Sequence, residues 1–322
     1  MLDRILTVRV TRITRETPEI RAFELAHPWG RTLPGFSAGA HIDVHLPGGF
    51  MRQYSLAQAA PPNGVGGHYV IGVKRESASR GGSASMHERV KVGDLLAISA
   101  PRNTFPVHAQ AQQHLLLAGG IGMTPMLAMA QQLAHEGRAF TLCVFARSRE
   151  HLAFAEALAE PALAAHVRLH FDAADANEKL DLHRLLATHP PGTHLYMCGP
   201  AGFMKAVRSA SSDWPDDRVH LEYFAAPDAG ADTGANEPFA LKLAHRNITV
   251  DVAPDQSAVE ALHDLGIDVP TSCEQGICGT CVVAFSGGEP DHRDFCLSAT
   301  ERTKKMALCC SRAKSGTITI DL

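Results

Sequence analysis

Cysteine is distributed very unevenly along this chain of 322 residues. The N-terminal segment has no apolar stretch typical of a secretion signal, so we expect a cytoplasmic protein in a reducing environment. In that environment a cysteine cluster is more often a metal site than a disulfide framework. Six of the eight cysteines lie within the last 50 residues, namely Cys273, Cys278, Cys281, Cys296, Cys309 and Cys310.

The spacing of these cysteines indicates which metal group they bind. Cys273, Cys278 and Cys281 form a C-x4-C-x2-C run, and Cys309 follows after a gap of 27 residues. This is the plant-type spacing for four thiolates on a [2Fe-2S] cluster. A structural zinc site usually pairs two short two-ligand motifs instead. The spacing therefore predicts an iron-sulfur cluster, with zinc or free thiols as the alternatives.

Two details of this cluster stay open at the level of sequence. Cys309 and Cys310 are neighbours, and successive side chains of an extended segment point to opposite faces, so only one of them can be the fourth ligand. Spacing does not choose between them. Gly276 and Gly279 are expected to adopt positive φ, because the loop must wrap closely around a small anionic group.

The remainder of the chain divides by its hydrophobic pattern. Residues 4–100 show the period-two alternation of short strands broken by Pro and Gly turns, which favours an antiparallel barrel. From residue 114 apolar runs alternate with helical stretches, which predicts a parallel, doubly wound α/β sheet. A small, polar segment then precedes a mixed α+β tail with a helix over residues 257–265. We predict a barrel domain at 1–104, an α/β domain at 105–226, a linker at 227–237 and a small α+β domain at 238–322.

Charge and hydropathy exclude two classes of partner. The chain has 30 basic and 34 acidic residues, a net charge of -4, so it has no broad positive field to bind nucleic acid or an anionic membrane. Its longest uncharged apolar stretch, residues 115–130, contains three glycines and a proline. That stretch is shorter than the roughly 20 residues that a membrane-spanning helix needs.

Four motifs follow one another along the chain: Arg-Gln-Tyr-Ser-Leu at 52–56, Gly-Gly-Ile-Gly-Met-Thr-Pro at 119–125, Cys-Gly-Pro at 198–200 and the cysteine run. In this order they resemble the phthalate dioxygenase reductase family, and vanillate O-demethylase reductase components look similar. The resemblance covers essentially the whole chain. It implies a flavin barrel, a nicotinamide-nucleotide domain and a C-terminal β-grasp ferredoxin domain, in that order.

The barrel motif has the chemistry of a flavin site. Arg52 can bind a phosphate as a fixed fork, while Tyr54 and Ser55 supply a ring surface and a small hydroxyl. Gly81-Gly82-Ser83 precedes a helix predicted to begin at Ala84, and free amides there can hold a phosphate. The resemblance implies FMN, with FAD as the alternative. The candidate flavin-binding residues are Arg52, Gln53, Tyr54, Ser55, Val73, Lys74, Gly81, Gly82 and Ser83.

The second domain carries the candidate nucleotide site at the carboxyl ends of its strands. Thr124 and Pro125 are predicted to be the N-cap and first residue of the helix after the glycine turn. Arg147 follows a strand where the adenosine ribose usually lies; an arginine there could bind the 2′-phosphate of NADPH, whereas the resemblance implies NADH. It also implies that Phe224 shields the flavin. The candidate nucleotide residues are Gly120, Thr124, Arg147, Cys198 and Phe224, and the candidate catalytic residues are Ser55, Thr124, Cys198 and Phe224.

The three predicted bound groups, a nicotinamide nucleotide, a flavin and an iron-sulfur cluster, predict an electron-transfer enzyme. A nicotinamide gives up two electrons together and a [2Fe-2S] cluster accepts one at a time, so a flavin, which does both, must stand between them. The resemblance implies a Rieske-type oxygenase component as the acceptor, and we expect a monomer. A reductase for another terminal acceptor and a non-catalytic redox sensor are the alternatives. The sensor is disfavoured because it would not need Arg52, Thr124 and Cys198 together.

Overall fold

The computed structural model describes residues 5–60, 67–77, 81–172, 180–187, 189–226, 236–246, 248–298, 300–314 and 316–322. The chain separates into two compact units, Met1–Phe224 and Ala225–Leu322. Most of the linker predicted at residues 227–237 lies outside the described residues.

The first unit begins with an antiparallel sheet of seven strands that curls into a barrel. The order around the sheet is β4-β3-β6-β1-β2-β5, with β7 paired to β3. An antiparallel bridge between Leu56 and Ile71 links the two ends of this order and brings the sheet close to a closed barrel. The predicted antiparallel barrel is confirmed. The strands are β1 (Leu6–Arg15), β2 (Ile20–Ala26), β3 (Ala40–Leu46), β4 (Phe50–Ser55), β5 (His68–Lys74), β6 (Leu95–Ile98) and β7 (Arg102–Asn103).

The barrel helix starts two residues earlier than the sequence predicts. Helix α1 spans Gly82–Arg89, and its N-cap Gly81 has φ +100°. Ser83 therefore lies in the first turn of α1 and not in the loop before it. A Cβ at Gly82 would lie only 2.7 Å from Cγ of Arg52, so Gly82 allows the strand β4 and the helix to approach closely.

A parallel sheet forms the second part of the first unit, with the order β10-β9-β8-β11-β12. Alternate residues of its strands face opposite sides, as the pleat requires. Leu116 of β8 shares a core with the helix over residues 123–135, whereas Leu117 shares a core with the helix over residues 201–210. The predicted doubly wound sheet is confirmed. Its elements are β8 (Gln113–Gly119), α2 (Met123–His135), β9 (Ala139–Ala146), α3 (Ala155–Leu158), α4 (Pro161–Ala164), β10 (Val167–Phe171), α5 (Leu182–Ala187), β11 (Thr193–Cys198), α6 (Ala201–Ala210) and β12 (Val219–Glu222).

The helix after the glycine turn is capped differently from the prediction. Residues 120–122 form a short 3₁₀ turn, and Gly122 is the N-cap of α2. Thr124 lies inside the first turn, where its hydroxyl donates a hydrogen bond to the Ile121 carbonyl over 3.1 Å. The assignment of Thr124 as N-cap was wrong, because the glycine turn continues directly into the helix and leaves no extended residue at position 124.

The second unit is a small mixed sheet with one helix packed on it. The order is β14-β13-β19-β15-β17, with β13 and β19 parallel and the other pairs antiparallel. Ser257 caps the helix through a capping box with Glu260, so the helix begins one residue later than predicted. The elements are β13 (Phe239–Leu243), β14 (Ile248–Val252), α7 (Ala258–Asp264), β15 (Val282–Gly287), β16 (Pro290–Asp291), β17 (Lys305–Ala307), β18 (Arg312–Ala313) and β19 (Thr317–Ile320).

Candidate functional site

The cysteine run lies in an irregular loop of the second unit between α7 and β15. Its three thiols and that of Cys309, which follows β17, are close enough to hydrogen-bond: Cys273 contacts Cys278 and Cys309, and Cys309 also contacts Cys281. The hydrogen bonds from Cys278 and Cys309 lower the pKa of the Cys273 thiol and favour its thiolate. The sulfurs therefore gather as two linked pairs, Cys273 with Cys278 and Cys281 with Cys309.

Backbone amides of the same loop point at these sulfurs. Gly276 donates to Cys309 Sγ over 3.2 Å, Gln275 to Cys273 Sγ over 3.4 Å and Thr280 to Cys278 Sγ over 3.5 Å. Amide donors stabilise negative charge on sulfur, as a group held by four thiolates requires. The loop therefore fits an anionic [2Fe-2S] cluster. Among the described residues, no set of three or more His, Cys, Asp or Glu side chains has the arrangement of a single-ion site.

Gly276 contacts both neighbouring candidate ligands, Cys309 and Cys310, in different ways. It adopts φ +72°, and a Cβ at this position would lie 2.5 Å from Cys310 Sγ. The amide of Gly276 bonds to Cys309, while Cys310 Sγ is 3.9 Å from the Ala307 carbonyl. Cys309 contacts Cys273 and Cys281, and it also contacts its neighbour Cys310. Gly279 also has positive φ, +73°, as the sequence predicts.

The barrel brings the candidate phosphate ligands together. Arg52 lies beside Gly82 at the N-terminus of α1, with Gly81 and Ser83 on either side of that contact. Ser83 Oγ accepts a hydrogen bond from the Glu76 amide over 3.1 Å. A cationic guanidinium next to a glycine-rich helix start has the chemistry of a phosphate site.

The other predicted flavin residues occupy different surroundings. Burial raises the pKa of the Tyr54 phenol, whose residue packs on the barrel core. Gln53 donates to Asp43 Oδ1 over 3.3 Å, and Lys74 forms an ion pair with Glu76. Val73 faces the barrel core with 1% of its surface exposed, so its side chain is not at the candidate site. Its carbonyl oxygen lies 2.8 Å from His87 Nε2.

Ser55 meets a carboxylate that the sequence reasoning missed. Ser55 Oγ donates a hydrogen bond to Glu222 Oε2 over 3.0 Å, across a separation of 167 residues. The carboxyl group of Glu222 is surrounded by protein, and this burial raises its pKa to about 7. Cys198 is directly beside Glu222 in the register of β11 and β12. The signal that could have found Glu222 is its place at the carboxyl end of a parallel strand.

Cys198 and Thr124 are both enclosed at this edge. Cys198 has no exposed surface, and burial raises the pKa of its thiol, so the side chain is a neutral packed group. Thr124 is 1% exposed, and its methyl group lies 2.7 Å from where a Cβ of Gly72 would stand in β5. The glycine in β5 therefore lets the barrel touch the start of α2. Gly120 has φ +52°, and a Cβ built on it would have no heavy atom within 4 Å.

Arg147 and Phe224 are both exposed residues of the first unit. Arg147 is exposed after β9 and pairs with Glu19 of the β1–β2 turn at 2.6 Å. Phe224 is 38% exposed at the end of the first unit. The structure thus brings Ser55 and Cys198 to one place, through Glu222, while Arg147 is held in an ion pair that the sequence did not predict.

Known proteins resemble this chain over its full length. Residues 241–314 match the model of the 2Fe-2S iron-sulfur cluster binding domain, and residues 99–219 match that of the N-terminal domain of dimethylamine monooxygenase subunit DmmA-like proteins. A vanillate O-demethylase oxidoreductase from Pseudomonas sp. (strain HR199 / DSM 7063) is 45% identical, covering 99% of this chain and 100% of the relative. The solved structure of a phthalate dioxygenase reductase is 38% identical with a TM-score of 0.74, covering 99% of this chain and 98% of that one.

The chain belongs to the phthalate dioxygenase reductase family. The resemblance drawn from the four motifs is therefore confirmed, and so is the predicted order of barrel, nucleotide and ferredoxin folds. This family fold also occurs within larger proteins. A type IV self-sufficient cytochrome P450 monooxygenase of 37% identity matches 99% of this chain with a TM-score of 0.87, and the match spans 41% of that longer chain.

Family members are named as oxidoreductases, and this chain is accordingly an oxidoreductase. No helix in the described parts of the chain is both long and apolar enough to cross a membrane.

Proposed function

We propose that this protein is an NADH-dependent reductase component that passes electrons from NADH through FMN and a [2Fe-2S] cluster to an oxygenase. The observation that carries the proposal is the convergence of Cys273, Cys278, Cys281 and Cys309, with amides at their sulfurs, in a chain that also builds a phosphate cradle at Arg52. Together, the bound groups would convert a two-electron hydride donor into a one-electron source.

The barrel residues hold and orient the flavin in this proposal. Arg52, with the amides around Gly82 and Ser83, binds the phosphate, while Tyr54 and Ser55 line the ring. Arg52 is placed for this by the close approach of β4 and α1 at Gly82. FMN, which has a single phosphate, matches the single cradle among the candidate flavin residues.

Glu222 and Ser55 form the proton-holding pair of the site. With a pKa raised to about 7, the Glu222 carboxyl changes its charge near neutral pH. When Glu222 is ionised its Oε2 accepts from Ser55 Oγ, and when protonated it can donate to Ser55 instead. With Glu222 protonated, the Ser55 hydroxyl would be free to donate a hydrogen bond to a bound flavin. Thr124 and Cys198 contribute by closing this edge to water.

The proposed organisation follows the two compact units. We assign the flavin barrel to residues 1–104, the nucleotide domain to 105–226, a linker to 227–237 and the ferredoxin domain to 238–322. Phe224, exposed at the end of the first unit, is the proposed shield of the flavin ring. We also propose that the protein is a monomer. We propose a cytoplasmic location, because a reducing compartment keeps free thiols from forming disulfides.

The acceptor we propose is a Rieske-type oxygenase or O-demethylase component. The relative of 45% identity is named a vanillate O-demethylase oxidoreductase. A haem monooxygenase is the second candidate acceptor, because the self-sufficient P450 structure contains this whole fold. No nucleic acid or membrane partner is proposed.

Anaerobic reduction of the purified protein tests the proposed function. We expect NADH to bleach flavin and cluster absorbance within one turnover and then to reduce cytochrome c. Mass spectrometry of the released cofactor should identify FMN. Iron and sulfide analysis should give about two of each per chain, as expected for one [2Fe-2S] cluster. A colourless protein, zinc in place of iron, or flavin that NADH leaves oxidised would contradict the proposal.

A further inference from the structure

The contact between Arg147 and Glu19 joins the nucleotide sheet to the barrel. Arg147 Nη2 lies 2.6 Å from Glu19 Oε2, although 128 residues separate the two in sequence. Arg147 follows β9, the strand next to β8 and its glycine turn. In α/β sheets the residue at this place faces the adenosine ribose, and an arginine there can accommodate a 2′-phosphate. Here that arginine already has an anionic partner.

Glu19 lies among cationic side chains from both the barrel and the nucleotide sheet. The pKa of the Glu19 carboxyl is lowered, first by its hydrogen bond from Arg147 and further by the charges of Arg147, Lys74 and His151. Asp172, at the end of the neighbouring strand β10, adds a second negative charge near Arg147. The positive charge of Arg147 is therefore balanced by protein carboxylates before any ligand arrives.

A separate contact keeps the two parts in register. The Phe154 amide donates to Glu16 Oε2 over 2.9 Å, so the same β1–β2 turn is anchored to the nucleotide sheet a second time. Helix α2 is also tied to the barrel, since Gln132 accepts from the Ala38 amide over 2.9 Å. Removing the charge of Glu19 should therefore leave the turn in place.

We propose that Glu19 determines nucleotide specificity by holding Arg147 and so excluding the 2′-phosphate of NADPH. This inference rests on the proposed function, because it concerns the nucleotide that this same site takes. A 2′-phosphate could reach Arg147 only by displacing Glu19, and the displaced carboxylate would stay beside the phosphate on the anchored turn. A carboxylate beside the phosphate repels it and disfavours binding of NADPH. NADH carries a hydroxyl at this position and leaves the ion pair intact.

The test compares nucleotide preference in the wild type and four variants of the full-length holoprotein, with ferricyanide as the acceptor. Glu19→Gln removes the carboxylate charge at nearly constant shape, Arg147→Ala removes the guanidinium, and the double variant removes both. Glu24→Gln is the matched control, because Glu24 lies in the same hairpin and pairs with Arg12 at 3.4 Å. It changes the net charge equally but at a different place.

We expect Glu19→Gln to raise the ratio of kcat/KM for NADPH to that for NADH about tenfold, mainly through a lower KM for NADPH. The gain should disappear in the double variant and shrink at high salt, because exposed charges are screened. Glu24→Gln should keep the wild-type ratio. An unchanged ratio in Glu19→Gln, or a gain that survives without Arg147, would overturn the inference. Failure of both nucleotides to reduce the wild-type protein would instead contradict the proposed function.

Discussion

At the scale of single residues, one glycine of the cysteine loop contacts both of two adjacent thiols. Gly276 has φ +72°, and its amide donates a hydrogen bond to Cys309 Sγ. The space that a Cβ would occupy at Gly276 is filled by Cys310 Sγ. A side chain there would press on Cys310, because no Cβ fits the space. The Gly276 amide and the thiols of Cys273 and Cys281 contact Cys309, which favours Cys309 as the fourth ligand.

Serine substitutions of the two neighbours give a direct prediction at this scale. Cys309→Ser should lose the cluster while retaining flavin and NADH oxidation by ferricyanide, because a hydroxyl is a poor replacement for a thiolate ligand. Cys310→Ser should retain iron and sulfide. Both are measured by metal and sulfide counting with visible absorbance. Cluster retention in Cys309→Ser and its loss in Cys310→Ser would assign the ligand to Cys310.

At the scale of elements, a histidine stack links the strands β11 and β12 to the segment before β8. The rings of His108 and His194 stack at 4.5 Å, and those of His194 and His220 at 5.2 Å. His194 Nδ1 lies 2.8 Å from His220 Nε2, so at least one of these imidazoles must be neutral to provide an acceptor. Burial, with the neighbouring histidines, lowers the pKa of His220 to about 4.

The stack predicts acid sensitivity of the first unit. His220 protonates near its ordinary pKa of 6.5 when unfolded but only near 4 when folded. Its contribution to the free energy of unfolding is therefore complete above pH 6.5 and is lost as the pH falls towards 4. We expect a loss of about 1–2 kcal/mol over this range, reduced by partial exposure. Glu222, whose pKa is raised, contributes with the opposite sign over the same range.

Urea unfolding at several pH values isolates the part due to His220. Tryptophan fluorescence reports on the first unit, because Trp29 and Trp214 are the two tryptophans of the chain. His220→Phe keeps a ring in the stack but cannot titrate, so its stability should depend less on pH than that of the wild type. His68→Phe, at an exposed position of β5, is the control. Equal pH dependence in wild type and His220→Phe would assign the effect to other groups.

At the scale of the whole molecule, each unit has its own hydrophobic core. The core of the second unit contains Leu241, Leu262 and Ile318 and includes no residue of the first. In the first unit, by contrast, the barrel and the nucleotide sheet share a core: Ala38 and Phe105 pack with Met126 of α2. The barrel and sheet are therefore expected to fold together, and the ferredoxin unit separately.

Truncation tests this division. Removing residues from about 230 onward should leave a flavoprotein that NADH reduces and ferricyanide reoxidises, because the Arg52 and Glu222 sites lie wholly in the first unit. It should no longer reduce cytochrome c efficiently, since the four ligating cysteines are gone. Cofactor content and both acceptor assays measure this. An insoluble fragment without flavin would show that the units depend on each other and that the linker is misplaced.

Sequence alone determined the cofactor class and the order of the folds. Cysteine spacing is a local property that encodes a ligand set, and the periods of the hydrophobic pattern distinguish barrel strands from a doubly wound sheet. Element starts were less predictable, as Thr124 and Ser83 show, because a glycine turn can continue straight into a helix.

Tertiary structure decided which side chains meet. Ser55 reaches Glu222 across 167 residues and Arg147 reaches Glu19 across 128, and no local pattern records such a separation. The Gly276 amide likewise reaches Cys309 Sγ, 33 residues further along the chain. Contacts of this kind follow from how the strands and loops pack against one another, and that packing sets the charge around Arg147 and brings the four candidate cysteine ligands together.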